Sequence, residues 1–306
     1  MGTKRKQPGP LEDSLDGSVV LITGAASGIG AATATALAAR GARLVLGDVD
    51  EAGLEATVAA VGEDRAVAAV ADVRDLAAVE SLVAAGVERF GGIDVVVANA
   101  GIGSFGSVLN VDPETFRRVV DINLTGVFHT VRAALPAVIE RQGYVLVVSS
   151  LAAFTASPGM AAYHASKAGA ENFANVLRLE VAHLGVDVGS AHMCWVDTPM
   201  VQEAKEELSG FARALSRMPP PLNRTTDLET CVEAFLDGIA RRRRRVYVPG
   251  WVGTLSRLRS ITNSALGDRA TLRSAPQVVA DADADVARYG RSMSARMAQH
   301  LDRPSR

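Results

Sequence analysis

The sequence predicts an α/β protein built on a doubly wound parallel sheet, and three observations carry that expectation. From Ser18 to about Pro249, short β-branched runs alternate with longer alanine-rich stretches, the rhythm of successive βαβ units. The strand candidates are almost continuously apolar instead of alternating, as expected where helices cover both faces of a sheet. The first of them runs straight into a glycine-rich turn, TGAASGIG, where a strand hands over to a helix.

In chain order the strand candidates are VVLITG (19–24), RLVLGD (43–48), AVAAVAD (66–72), IDVVVANAG (93–101), YVLVVSS (144–150), VDVGSAHM (186–193) and VYVP (246–249). Helical segments are expected at 29–40, 51–61, 76–90, 113–141, 163–184 and 227–241. After Val201 the pattern loosens into QEAKEELSGFARALSRMPPPLNRT, a mixed helical and proline-rich insertion read as a lid over about 200–225. The chain thus divides into a flexible polar tail (1–17), one catalytic domain (18–250) and a C-terminal extension (251–306) with no sheet role. Within the extension, Trp251, Val252, Leu255, Leu258 and Ile261 mix with Arg257 and Arg259 in a partly amphipathic stretch. Three roles stay open for it: covering a substrate entrance, joining a subunit interface, or peripheral contact with a membrane. From about Ala275, with its ADADAD run, partial disorder is expected. Arg241 to Arg245 are read as solvent-facing complements to a helix C-terminus.

The 306 residues carry a formal net charge of −2 and are 48% hydrophobic, which describes a soluble globular protein and argues against nucleic acid as a partner. Cys194 and Cys231 stand alone, without CxxC or histidine-rich context. Neither a disulfide framework nor a metal site is expected, and a reducing cytoplasm fits best. No unbroken apolar stretch of bilayer-spanning length and no signal-peptide core is seen.

Chemistry enters at the glycine-rich turn. Gly24 permits a tight turn, Gly28 removes a side chain where phosphate oxygens must approach, and Gly30 lets the helix pack close to its strand. Together with Ser27 and Ile29 they are the candidate pyrophosphate cradle. Asp48 ends the second strand 18 positions after Gly30, close to the offset at which a carboxylate meets the adenosine ribose. A carboxylate there repels a 2′-phosphate, and neither Ser27 nor Val49, Asp50 or Glu51 supplies a cation, so NAD is the expected cofactor. Asp48 as a mere helix N-cap is the competing reading.

Tyr163 and Lys167 are spaced i, i+4 in Tyr-His-Ala-Ser-Lys, so a helix presents both on one face. An ammonium beside a phenol favours the phenolate and makes a tyrosine a usable base near neutral pH. The companions are Ser149-Ser150, Asn123 in DINLTG, and Asn99-Ala100-Gly101. In order and spacing TGAASGIG, Asp72-Val73, NAG, Asn123, VVSS and YHASK resemble the short-chain dehydrogenase/reductase family over about two thirds of the chain, from Ser18 to Met200. The resemblance implies a Rossmann-like sheet of order 3-2-1-4-5-6-7 and a catalytic set of Asn123, Ser150, Tyr163 and Lys167. It implies that Tyr163 exchanges the substrate hydroxyl proton, Ser150 hydrogen-bonds the same oxygen, Lys167 also holds the nicotinamide ribose, and Asn123 anchors a relay water. Ser150 is preferred over Ser149 by the same resemblance, because it lies 13 positions before Tyr163, the separation that the family usually shows. By the same resemblance Asp72 and Val73 contact adenine, Asn99, Ala100 and Gly101 line the cofactor cleft, and Val196 and Thr198 meet the carboxamide. The chain departs from the family where Met193-Cys194 stands in place of Pro-Gly.

Phe105, Leu151, Phe154, Met160, Trp195, Met200 and Phe211 fall in the segments expected around the reacting carbon, and 103–109 and 151–160 hold no lysine or arginine. A hydrophobic secondary alcohol or ketone of steroid, terpenoid or fatty type is the expected substrate. The alternatives are an NADPH-dependent ketone or 3-oxoacyl reductase, and a non-catalytic NAD-binding sensor or scaffold. The family implies a homo-dimer or homo-tetramer.

Overall fold

A computed structural model describes residues 15–301 of the chain. Its seven strands are β1 (Val19–Thr23), β2 (Arg43–Asp48), β3 (Ala66–Val70), β4 (Val95–Ala98), β5 (Tyr144–Val148), β6 (Asp187–Met193) and β7 (Arg245–Val248). They form one sheet of order β3-β2-β1-β4-β5-β6-β7 with every pair parallel. The helices that follow these strands are α1 (Gly28–Ala38), α2 (Glu51–Val61), α3 (Leu76–Phe90), α4 (Pro113–Val120), α5 (Gly126–Glu140) and α6 (Ala161–Val181). Then come α7 (Pro199–Glu207), α8 (Ser209–Arg217), α9 (Leu228–Ala240), α10 (Val252–Arg257), α11 (Arg259–Thr262), α12 (Ala265–Tyr289) and α13 (Ala295–Leu301).

The continuous apolar character of the strands has a direct cause. Val20 and Ile22 of β1, with Tyr144, Leu146 and Val148 of β5, enter a core shared with Leu37 of α1 and Phe235 and Leu236 of α9. Their neighbours Val19, Leu21, Val145 and Val147 enter the opposite core with Leu82 of α3, Val131 of α5 and Leu177 of α6. Because successive side chains of a strand point to opposite faces, both registers must be apolar. Each full burial of such a side chain contributes roughly 1.5–3 kcal/mol. Short-range signals set the helix ends: Asp50, Asp75, Asp112 and Asp227 cap α2, α3, α4 and α9 by accepting backbone N–H groups, and Gly91 ends α3 in the left-handed conformation.

The segment expected as one helix at 113–141 is interrupted by a π-helical turn at Asp121–Thr125, an irregularity that clusters at functional sites. Pro113–Glu140 is long and apolar enough to cross a bilayer, but Val119, Ile122, Val127, Val131, Ala134 and Val138 are buried in the protein. Its apolarity is therefore accounted for by packing against the sheet and its neighbours.

Two expectations about the ends of the chain are corrected. Residues 1–14 of the expected tail lie outside the described residues, but Leu15 is 2% exposed within the core and Gly17 N–H donates to Gly41 O, so the ordered fold starts before Ser18. Within the described residues the stretch beyond Ala275 is largely helical: α12 runs through the acidic run to Tyr289 and α13 follows to Leu301, while 302–306 lie outside the described residues. The reason lies in where those carboxylates go. Asp281 pairs with Arg213 and Arg217 of α8, Asp283 accepts the Ser107 N–H, and Asp285, 5% exposed, accepts from Gly210 N and Ser209 Oγ. A composition typical of solvated segments here supplies the acceptors for a docking seam. In the amphipathic stretch, Val252, Trp251 and Leu255 pack on Leu151 and Phe154, while Leu258 and Ile261 remain exposed.

Candidate active site

The carboxyl ends of β1, β2, β4, β5 and β6 surround one cleft, lined by Gly24, Ser27, Gly28, Ile29, Asp48, Asn99, Ala100 and Gly101 together with Tyr163 and Lys167. This is the crevice beside the strand-order reversal, where open α/β sheets bind ligands. Asp72, Val73 and Thr198 also line it.

The glycine-rich loop has the geometry of a cradle. A Cβ at Gly30 would stand 2.0 Å from Gly24 O, and Gly28 adopts φ +56°, so neither position accepts a side chain without rearrangement. Asn99 staples this loop to β4, its Nδ2 donating to Thr23 O and Gly24 O at 3.0 Å each. Ser27 occupies the N-cap of α1 without capping it through its side chain. At Gly101 a Cβ would meet Asn123 Oδ1 at 3.2 Å and Lys167 Nζ at 3.3 Å, filling the cleft beside the catalytic candidates. These features fit a dinucleotide whose phosphates meet backbone N–H groups at a helix N-terminus.

Asp48 is not the N-cap of α2; Asp50 is. The Asp48 carboxylate is instead fixed at the end of β2, accepting from Ala26 N at 2.9 Å and Asp50 N at 3.0 Å. Asp72 grips Arg74 through a two-pronged ion pair with a 2.6 Å contact, and both line the cleft. Val73 packs with Ile122, Met293 and Met297.

Tyr163 and Lys167 project from α6. The Lys167 ammonium, 4% exposed, donates to Val148 O at 2.9 Å and lies 5.8 Å from the Tyr163 ring centre. Burial pushes its pKa down to about 8, still high enough for a charged amine at neutral pH. Burial raises the Tyr163 phenol, and its hydrogen bond with Ser150 works in the opposite direction. The two adjacent serines have divided roles. Ser149 Oγ donates to Lys167 O at 2.9 Å, whereas Ser150 faces Tyr163, as neighbouring positions at a strand end point to opposite sides. Asn123, wholly buried in the π-helical turn, accepts from Ile102 N and donates to Ile102 O and Ser166 Oγ.

Of the expected site residues, Gly30, Asn123, Ser150 and Val196 are not among those lining the cleft, and of the two adjacent serines it is Ser149 that lines it. Val196 is 4% exposed and bridges to Thr226. This bridge, with Cys194 N–H on Val248 O and Thr226 N–H on Trp195 O, fixes the loop that lacks Pro-Gly. Burial pushes the Cys194 thiol up to about 11, which suits a filler and not a nucleophile. Of the seven expected substrate-facing side chains, Phe105, Trp195 and Phe211 cluster on the lid, Leu151 and Phe154 pack under α10, Met160 is buried, and Met200 lines the cofactor cleft.

Sequence reasoning missed Arg74, Glu203, Arg296 and Met297, all in the cleft lining. Arg74 stands two positions beyond a residue already singled out. Nothing local marks the other three, which arrive from the lid and the C-terminal extension.

A buried histidine lies directly behind the site. His192 Nδ1 donates to Ser150 O, so Nε2 of the neutral ring accepts from Ser190 Oγ. Burial lowers its pKa to about 4. Between that value and the unfolded value near 6.5 the unfolded chain binds the extra proton, so stability present above pH 6.5 is lost as pH falls toward 4. Urea unfolding should show wild type losing on the order of 3 kcal/mol more than His192→Gln across that window; equal losses would mean the ring is not held neutral.

A tyrosine–lysine pair thus lies beside a glycine-rich cradle at the carboxyl edge of a parallel sheet, an arrangement that fits an oxidoreductase. The short chain dehydrogenase family model matches residues 18–209, and the chain belongs to that family of oxidoreductases. It is 34% identical to a D-beta-hydroxybutyrate dehydrogenase of Cupriavidus necator, covering 78% of this chain and 99% of the relative. It is 38% identical to an uncharacterized NAD-dependent oxidoreductase of Mycobacterium tuberculosis, covering 65% and 78%. Among solved structures, a short chain dehydrogenase from Mycobacterium paratuberculosis bound to NAD superposes with a TM-score of 0.67 at 31% identity, covering 76% of this chain and 97% of that one.

Proposed function

We propose that the protein is an NAD-dependent dehydrogenase that oxidises a hydrophobic secondary alcohol of steroid, terpenoid or fatty type. The observation that carries the cofactor choice is the Asp48 carboxylate, locked at the adenosine end of the cleft by two backbone N–H groups, where it would accept from ribose hydroxyls and repel a 2′-phosphate. For the substrate, the supporting observation is the apolar lid cluster of Phe105, Trp195 and Phe211, with ring centres 4.8 and 5.3 Å apart. The hydroxybutyrate dehydrogenase relative is named for a carboxylate-bearing alcohol, and a carboxylate asks for a cation that 103–109 and 151–160 do not contain.

NAD, when bound, supplies the acceptor for a hydride from the alcohol carbon. Tyr163 takes the hydroxyl proton, and Ser150, already hydrogen-bonded to it, holds the substrate oxygen. The Lys167 ammonium stabilises the phenolate form of Tyr163. Asn123 ties the 100–102 segment to α6 through Ile102 and Ser166, keeping the cleft wall and the catalytic helix in register. The protein would act as a homo-oligomer in the cytoplasm, joined through α4, α5 and α6, whose Phe116, Phe128, Val176 and Leu179 are exposed.

Arg74 and Arg296 in the cleft favour a second reading, an NADPH-dependent ketone reductase. Each is already engaged by a carboxylate, so NAD remains the first choice. The test is nicotinamide absorbance with NAD or NADP and a panel from short polyols to steroid and terpenoid alcohols. Wild type should reduce NAD fastest with bulky apolar alcohols, and Asp48→Ala should lower the NAD/NADP preference at least tenfold. Faster turnover of polyols would sink the substrate assignment; an unchanged cofactor ratio would sink the role of Asp48.

A further inference from the structure

The C-terminal extension reaches the mouth of the cofactor cleft. Arg296 and Met297 of α13 line it, opposite Asp50 from the end of β2 and alongside Glu203 from the lid helix α7. One guanidinium joins two walls: Arg296 Nη2 lies 3.3 Å from Asp50 Oδ2, and Nη1 lies 3.4 Å from Glu203 Oε1. Asp50 belongs to the wall that holds the Asp48 carboxylate. Glu203 belongs to the helix that starts beside the glycine-rich loop, where a Cβ on Gly28 would touch Thr198 at 3.6 Å.

The helix carrying Arg296 is firmly placed. Glu207, one turn beyond Glu203 on α7, accepts the Ala295 N–H at the start of α13 and pairs with Arg291 at 2.7 Å. Ser294 Oγ donates to Glu203 Oε2. Met293 and Met297 pack with Val73 and Ile122, and Met200 of α7 packs against them. Upstream, the α12 carboxylates hold α8. Lid and extension therefore form one body on the far side of the cleft, and the Arg296–Asp50 contact ties that body to the wall at β2.

We propose that α13 is a strap over the bound dinucleotide, with Arg296 as its clasp between Asp50 and Glu203, so that cofactor release requires the strap to lift. This rests on the dinucleotide reading of the cleft. Arg296 also offsets the negative field of Asp48, Asp50 and Glu203, which would otherwise repel a pyrophosphate. The clasp is partly exposed to solvent, so salt weakens it. The effect falls on release, because interactions that must break before departure act on the off-rate.

Stopped-flow fluorescence of NADH displacement from the full-length protein tests this, at low and at 1 M salt. Arg296→Ala should speed release at least tenfold, Arg296→Lys should restore much of the difference, and Glu203→Gln should also accelerate it. The Arg296→Ala and Glu203→Gln effects should be less than additive, and salt should accelerate release from wild type more than from Arg296→Ala. Release from Arg296→Ala at the wild-type rate, or acceleration by Arg296→Ala with none by Glu203→Gln, overturns the clasp. Should Arg296→Ala fail to fold, the Glu203→Gln rate and the wild-type salt dependence decide in its place. Wild type that binds no NADH is a different result and removes the cofactor reading itself.

Discussion

Tyr163→Phe should lower turnover of the best alcohol by at least about a thousandfold, within the range that a positioned proton-transfer group contributes, while NADH binding changes less than about threefold. The phenol oxygen is the group hydrogen-bonded to Ser150 at the cleft, and removing it leaves the ring and its packing in place. The dinucleotide cradle is built from the β1 loop, Asp48 and the 99–101 turn, none of which depends on that oxygen. Steady-state rates paired with NADH fluorescence titration separate the two effects. A variant with near-normal turnover would remove Tyr163 as the acid/base, and one that also lost NADH binding would show the substitution to be structural.

Lys167→Met should divide function from stability. A charged amine that is 4% exposed and has its pKa lowered to about 8 by burial costs the native state on the order of 3 kcal/mol at neutral pH, by conversion of the shift from 10.5. Below pH 8 both states keep the proton and the cost is present in full. Between pH 8 and 10.5 the unfolded chain binds more protons than the native one, so wild-type stability recovers as pH rises. Methionine fills much the same volume without the charge but leaves Val148 O without its donor, which returns about 1 kcal/mol of the gain. Urea unfolding at pH 7 should find the variant more stable by about 2 kcal/mol, with its advantage shrinking toward pH 10.5, while turnover drops at least a hundredfold. A less stable variant would mean that the ammonium contributes more through its contacts than burial takes away.

Much of this structure was legible in the sequence because its signals are local. β2, α2 and α3 fall where their periodicity and capping residues place them, while the strand order is the one implied by the family that the motifs resemble. Tyr163 and Lys167 were readable because a single helix carries both. The choice of Ser150 over Ser149 rests on the separation usual in the family that the motifs resemble; in the structure Ser149 Oγ bonds to Lys167 O and Ser150 bonds to Tyr163. The extension was misread because composition does not say where carboxylates will dock: Asp281, Asp283 and Asp285 look like a solvated run until α8 and Ser107 are beside them. Arg296 was invisible for the same reason, since its partner Asp50 lies 246 positions away.

The doubly buried character of β5 has a consequence for how its alignment is chosen. With apolar residues toward both cores, sliding the strand by one position would exchange one set of valines and leucines for another, so burial alone discriminates weakly between alignments. The hydroxyls at its two ends do discriminate: Tyr144 donates to Arg243 O at 2.7 Å, and Ser149 donates to Lys167 O. A slipped strand would carry both to the wrong side and leave polar groups buried without partners. Two ordinary hydroxyls thus act as the index marks of an otherwise featureless ribbon, and Ser150, proposed to hold the substrate oxygen, is aimed by the serine beside it.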